Sequence, residues 1–162
     1  MAAILQVVGY KKSGKTTFMN QLIQQAKEKG FTVAALKHDA HNFDMDHPGT
    51  DSFSFRENGA DHVALTSNRQ FALLSHISLS LKQALERLPK TDLVVIEGFK
   101  DASFPKVVFV KSLEEYVELK TSLTEVLAFA SFCPLANEHI QFIAEDEKCE
   151  QLAESLIEEF LI

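Results

Sequence analysis

Apolar and polar positions follow two different periods along this chain, and the changes of period mark its elements. Ala2 to Val8 is an almost unbroken apolar run closed by Gly9, the pattern of a strand buried on both faces. Lys15 to Lys29 follows, with Met19, Leu22, Ile23 and Ala26 at i, i+3, i+4 and i+7. That spacing predicts an amphipathic helix, and Gly30 ends it. Phe31 to Leu36 reads as a second strand. Lys37 to Thr50 is polar, rich in His and Asp and broken by Pro48-Gly49, which predicts a loop. Ser52 to Asn58 predicts a short helix that stops at Gly59. His62 to Thr66 and Gln70 to Leu74 read as two strands of a hairpin around Ser67-Asn68.

Further on, Ile77 to Leu88 has helical spacing and ends before Pro89, and Leu93 to Ile96 is an apolar strand followed by Glu97-Gly98. Lys106 to Val110, Val126 to Ala130 and Ile140 to Ile143 read as strands, whereas Leu113 to Leu119 is acidic and fits neither period cleanly. In the last segment Cys149, Leu152, Ala153, Leu156, Ile157 and Phe160 form one apolar stripe, with Glu147, Glu150, Glu154 and Glu158 opposite. Apolar strands alternating with helices predict an α/β fold: three layers, with a mostly parallel central sheet flanked by helices.

Composition sets the outer limits. A chain of 162 residues, 46% hydrophobic and 24% charged, suits a single globular domain over 1–162. No apolar run approaches the roughly 18 residues of a membrane span, and the first residues lack the basic start and cleavage site of a signal peptide. Cys133 and Cys149 are too few for a disulfide framework, and both are expected to be small buried hydrophobes. A cytoplasmic protein without a membrane partner is the expectation. The net charge of −7 argues against nucleic acid as a partner. Its distribution says more. Residues 1–111 hold 14 basic against 11 acidic residues, and 112–162 hold 2 against 12. Lys11, Lys12 and Lys15 concentrate positive charge in one turn.

That turn carries a motif. Gly9-Tyr10-Lys11-Lys12-Ser13-Gly14-Lys15-Thr16 matches G-x-x-x-x-G-K-[ST], between an apolar strand and an amphipathic helix as a phosphate loop requires. Such a loop turns backbone N–H groups toward a β-phosphate, and the following helix adds its N-terminal partial charge. Lys15 is expected to reach the β- and γ-phosphates, and Thr16 to place its hydroxyl on Mg²⁺. Gly9, Ser13, Gly14 and Thr17 complete the nucleotide-binding set. Lys11 and Lys12 are either phosphate contacts or solvated lysines. Lys12 sits where phosphate loops often have Gly or Asn, residues that accept left-handed backbone at little cost.

A second carboxylate is expected at the end of a neighbouring strand. Glu97 emerges from Leu93-Val94-Val95-Ile96 and is the expected Mg²⁺ and catalytic carboxylate, with Asp39, just past the second strand, as its rival. The loop from Lys37 to His47 holds His38, His41, His47, Asp39, Asp44 and Asp46. It reads as a switch or partner surface, as a transition-metal site, or as a plain polar loop. Arg56 reads as a phosphate contact or a surface ion pair.

Together these stretches resemble the MobB family of molybdopterin-guanine dinucleotide biosynthesis adaptors. The resemblance rests on Gly9–Thr17, Lys37-His38 with its His/Asp loop, Asp46-His47-Pro48-Gly49-Thr50-Asp51-Ser52 through Arg56 to Gly59-Ala60, and Val95-Ile96-Glu97-Gly98-Phe99-Lys100. Ala130-Ser131 with Pro134-Leu135 adds a weaker match. The resemblance implies a phosphate-loop NTPase fold, GTP and Mg²⁺ as cofactors, weak GTPase activity and a homodimer. It also implies association with a MobA-type guanylyltransferase that joins GMP to molybdopterin, itself a further ligand to consider for the His/Asp loop. Asp46, Asp51 and Arg56 would belong to the surface around the nucleotide. The chain departs from the family at Ala40 and Thr50, where His and Lys are common. It has no N-K-x-D box, so no residue selects guanine and the GTP expectation rests on resemblance.

Three functions compete at this level. The first is a GTP-binding accessory protein of molybdenum-cofactor maturation. The second is a small-molecule kinase that would use the His/Asp loop for its acceptor. The third is a nucleotide-loaded scaffold whose hydrolysis has no role. A kinase calls for arginines to neutralise transition-state charge, and the chain has only Arg56, Arg69 and Arg87.

Overall fold

A computed structural model of the chain describes residues 2–39 and 43–162. Their elements begin with β1 (Ala3–Gly9), α1 (Lys15–Glu28) and β2 (Val33–Lys37). Next come α2 (Asp51–Glu57), β3 (His62–Thr66), β4 (Phe71–Ser75) and α3 (Leu81–Arg87). The chain then continues through β5 (Leu93–Glu97), β6 (Lys106–Phe109), α4 (Leu113–Ser122), β7 (Val126–Ser131), β8 (Ile140–Phe142) and α5 (Asp146–Leu161). By contact the chain divides into two units, Met1–His38 with Leu88–Ile162, and Asp39–Arg87.

The first unit is built on one six-stranded sheet in the order β2-β5-β1-β6-β7-β8. Every adjacent pair in it is parallel. Parallel strands need covered faces, which explains the apolar runs Leu93–Ile96 in β5 and 107–109 in β6. Alternate residues serve opposite layers. Leu5, Val7, Val95, Val107 and Phe109 form a core with Phe18, Met19 and Leu22 of α1 and Leu152, Leu156 and Ile157 of α5. Val8, Val108 and Val110 join Tyr116 and Leu119 of α4 in a second core. Helices thus cover both sides of the sheet, the three-layer α/β arrangement the periodicity predicts.

Two polar side chains interrupt this apolar interior at one level. Gln6 and Lys106 are opposite each other in the β1–β6 register, and both are fully buried. Gln6 Nε2 donates to the carbonyl oxygens of Gly98, at 2.6 Å, and Phe99. Lys106 Nζ donates to Ala102 O at 2.9 Å and Thr124 O at 2.6 Å. Burial pushes the Lys106 ammonium below its ordinary pKa, opposed by the charge of Glu125. Both side chains satisfy backbone carbonyls of the segment after β5, so their burial fixes that segment to the sheet.

The second unit pairs β3 and β4 as an antiparallel hairpin, with Thr66 opposite Phe71. Val63 is buried on one face, while Phe71 and Leu73 are 71% and 58% exposed on the other. Helix α2 is capped by Thr50, whose hydroxyl accepts from the Phe53 amide at 3.2 Å.

Three local expectations change. The acidic segment from Leu113 is a helix, α4, because Ser112 caps it: the Glu115 amide donates to Ser112 Oγ at 3.2 Å. Helix α3 starts at Leu81 and not at Ile77. Ser80 and Gln83 form the capping exchange, with Ser80 N donating to Gln83 Oε1 at 3.0 Å and Gln83 N to Ser80 Oγ at 3.3 Å. Cys149 is buried as expected, but Cys133 is exposed, because it lies in the loop beyond β7 with its amide turned back to Ser131 Oγ.

Candidate phosphate site

The turn between β1 and α1 bends through three residues of positive φ: Gly9 at 147°, Lys12 at 61° and Gly14 at 97°. Gly14 has no substitute. A Cβ there would run into the Phe132 ring, and the left-handed backbone already disfavours one. Gly9 is equally confined: a Cβ there would run into the Phe109 carbonyl and Ser13 Oγ. Lys12 accepts the left-handed cost that Gly or Asn would avoid. Its side chain and that of Lys11 are exposed.

Lys15 folds back across the turn and donates from Nζ to Tyr10 O at 2.8 Å. Helix α1 begins with Gly14 as its N-cap and no side-chain cap bond, so side chains leave its first amides unclaimed. Ser13 is buried, and its hydroxyl has no hydrogen-bond partner among the described residues. Thr16 and Thr17 stand exposed in the first turn of α1. Thr16 Oγ1 lies 3.4 Å from Glu97 Oε2.

Glu97 reaches this edge because Val7 and Glu97 are opposite in the β1–β5 register. The β2–β5 register sets Lys37 opposite Glu97 on the other side, and Lys37 Nζ lies 3.5 Å from Glu97 Oε1. Burial pushes the Lys15 ammonium below its ordinary pKa. Glu97 opposes that shift, and Lys37, Lys100 and Lys111 reinforce it. Lys111 Nζ also donates to Lys11 O at 3.1 Å.

The donor set fits a phosphate and a hard divalent cation. A buried orphan hydroxyl, unclaimed helix amides and a half-buried ammonium suit phosphate oxygens, and the Thr16 hydroxyl with the Glu97 carboxylate suits Mg²⁺. Asp39 begins the second unit. Within the first unit, Glu97 is a carboxylate brought to Thr16, at 3.4 Å.

The remaining sequence-predicted residues are placed separately. The His38 amide donates to Glu97 O at 2.9 Å, and its ring stacks on Phe99 at 4.3 Å. His41 lies outside the described residues. In the second unit, Asp46 Oδ1 accepts from Thr50 Oγ1 and Ser52 Oγ, each at 2.9 Å, and from His47 N at 3.0 Å. Burial raises the Asp46 carboxyl, but these bonds and the charge of Arg56 outweigh it and hold its pKa below the ordinary value. Asp51 is exposed in the first turn of α2, where the helix dipole favours it. Arg56 forms a two-point pair with Asp44 at 2.8 and 2.9 Å and lies over the Phe53 ring. The Pro-Gly-Thr-Asp-Ser segment therefore acts locally as the cap of α2. Among the described residues, no group of three or more His, Cys, Asp or Glu side chains is placed to hold a metal ion.

Lys111 escapes a linear reading of the sequence, whereas Tyr10, Lys37 and Lys100 enter it only within the stretches that carry the family resemblance, with no separate role. Pairing the strands in register gives Lys37 its place opposite Glu97.

The Arg56 hydrogen bond holds the Asp44 carboxyl down to about 2, from 3.8, aided by the Asp46 amide. A depressed carboxylate pKa stabilises the fold above the unfolded value of 3.8, and that contribution fades as pH falls through about 2. Arg56→Ala is expected to return the Asp44 pKa toward 3.8 in a carboxyl NMR titration. An unchanged value would assign the depression to the amide.

With this geometry in view, comparison with known proteins is specific. Residues 4–132 match the family model of molybdopterin guanine dinucleotide synthesis protein B, MobB. A Haemophilus influenzae molybdopterin-guanine dinucleotide biosynthesis adapter protein is 34% identical over 138 residues, covering 82% of this chain and 76% of that protein. The Escherichia coli adapter protein is 32% identical over 114 residues, covering 67% of this chain and 65% of that one. The crystal structure of Bacillus subtilis MobB superposes with a TM-score of 0.78 at 28% identity, covering 99% of this chain and 98% of that one. A MobB homologue from Bacillus stearothermophilus gives a TM-score of 0.74 at 29% identity over 97% of both chains. A parallel sheet with a phosphate loop after its first strand, shared along nearly the full length of these structures, is the phosphate-loop NTPase fold. The chain belongs to the MobB family.

Proposed function

We propose that this chain is a GTP-binding adaptor of molybdopterin guanine dinucleotide biosynthesis that hydrolyses GTP slowly and assists a MobA-type guanylyltransferase. The whole chain, 1–162, serves in this reading as one nucleotide-binding domain. The observation that carries it is the meeting of Thr16 and Glu97 at 3.4 Å beside a loop whose lysine is already folded inward. The biosynthetic role and the guanine nucleotide follow the names and kind of the relatives.

Each side chain has a definite task. Amides of 13–16 and the Lys15 ammonium hold the β- and γ-phosphates. Ser13 Oγ gains the partner it lacks. Thr16 and Glu97 would hold Mg²⁺, which would supply neutralisation of phosphate charge, and Glu97, with Asp39 as the alternative, would position the attacking water. Among the described residues no helix is long and apolar enough to cross a membrane. Arg56 is engaged by Asp44, which leaves a kinase reading short of the arginines its transition state would need.

The homodimer belongs to the same proposal. In the second unit Phe43, Met45, Phe55, Phe71 and Leu73 are exposed. Phe71 and Leu73 share one hairpin face, and such exposed large apolar side chains suit a second copy of this chain better than water.

Two measurements test this. In calorimetric titration with Mg²⁺, GTP is expected to bind more tightly than ATP, and Lys15→Ala to weaken GTP by roughly a hundredfold. Glu97→Gln should keep the nucleotide and lose its Mg²⁺ dependence; an unaltered dependence would transfer the role to Asp39. Unchanged GTP affinity in Lys15→Ala would remove the phosphate-loop reading, and equal GTP and ATP affinities would remove the guanine preference. In sedimentation, the wild-type chain is expected to run as a dimer and Phe71→Glu with Leu73→Glu as a monomer. A wild-type monomer at micromolar concentration would overturn the dimer.

A further inference from the structure

Three lysines outside the motif bear on Lys15, namely Lys37, Lys100 and Lys111. Two have a carboxylate of their own. Lys37 Nζ lies 3.5 Å from Glu97 Oε1, and Lys111 Nζ lies 3.5 Å from Glu115 Oε1. Lys100 differs: its ammonium sits over the Tyr10 ring, 3.9 Å from the centroid, and no carboxylate among the described residues lies within ion-pair distance. A ring face attracts an ammonium less strongly than a carboxylate does and leaves its N–H donors unfilled.

The position of Lys100 is not accidental to a floppy loop. The Ala102 amide donates to Phe99 O at 2.9 Å, making Phe99–Ala102 a tight turn with Lys100 and Asp101 as its central residues. Both ends of that turn are tied to the sheet interior. Gln6 holds the carbonyls of Gly98 and Phe99, and Lys106 holds the carbonyl of Ala102. Phe99 has a φ of 52° and stacks on His38, a conformation that needs such anchoring. The turn therefore presents Lys100 from a fixed base.

Tyr10 brings this cation to the phosphate loop. Its carbonyl accepts from Lys15 Nζ at 2.8 Å, its ring carries Lys100, and its hydroxyl donates to Glu118 Oε1 on α4. Two ammonium groups thus converge on one loop residue, and Glu97, already shared with Thr16 and Lys37, is the carboxylate that offsets Lys15. Such a concentration of cations favours a ligand carrying several negative charges.

We propose that Lys100 is a contact for the terminal phosphate: lifted from the Tyr10 ring, its ammonium binds γ-phosphoryl oxygens of a nucleoside triphosphate and separates triphosphate from diphosphate. The inference rests on the phosphate-loop reading above and extends it to a residue outside the motif. Lys15 spans both phosphates; Lys100 acts on the last one. A long, flexible side chain on an anchored turn suits that division, since the ammonium can move while its base cannot.

The test compares Mg·GTP and Mg·GDP binding by calorimetry in the wild-type chain, Lys100→Gln, Lys100→Arg and Lys15→Ala. Lys100→Gln is expected to lose about tenfold in GTP affinity and less than about twofold in GDP affinity, with Lys100→Arg recovering most of the loss. Lys15→Ala should weaken both nucleotides. An equal loss for GTP and GDP in Lys100→Gln, or no loss, would overturn the inference while leaving the phosphate-loop reading intact. A wild-type chain that binds neither nucleotide would overturn both.

Discussion

The parallel pairing of β1 with β5 and β6 decides which side chains can meet at the carboxyl edge of the sheet. With Val7 opposite Glu97 and Gly9 opposite Phe109, the phosphate loop, the candidate Mg²⁺ carboxylate and the first residues beyond β6 share one level. A one-residue slip of β5 would turn Glu97 to the other face and bury a charge among the helices. The register is held by apolar burial on both faces, so the core and the site rest on the same set of side chains.

The loop itself is constrained by contact as much as by its motif. Phe132, just beyond β7, closes the space above Gly14, and Phe109 closes the space beside Gly9. Phe132 and Phe109 stack at 5.9 Å, and Phe109 meets Phe18 of α1 at 5.2 Å. A row of aromatic rings thus connects the hydrophobic core to the glycines that shape the turn. Polar anchoring performs the matching task on the other side, where Gln6 and Lys106 hold the segment 98–102 from within the sheet. The charged residues of the site stand on backbone that the interior has already fixed.

Much of this was legible in the sequence because it is local. The motif at 9–16 and the apolar runs of β1, β5 and β6 are contiguous, and Glu97 is marked by the strand that ends at it. Helix α4 was not read, because its acidic composition masked the Ser112–Glu115 capping pair that the structure makes plain. Other features depend on residues far apart. Lys106 reads as an ordinary strand residue until Ala102 and Thr124 surround its ammonium. Lys100 acquires meaning only when Tyr10, ninety residues earlier, lies beneath it. In the histidine- and aspartate-rich segment, read as a switch or partner surface, Asp44, Asp46, Thr50, Ser52 and Arg56 satisfy one another around the start of α2, a network between residues up to twelve positions apart that no local pattern displays.

Under the proposed function, one loop and one carboxylate form the nucleotide site. Backbone amide NMR of the full chain during titration with Mg·GTP reads that claim residue by residue. Saturating shifts are expected to concentrate at 9–17 and 97–100, with the amides of α5 unmoved. Saturable shifts confined to other residues, or none at all, would contradict it.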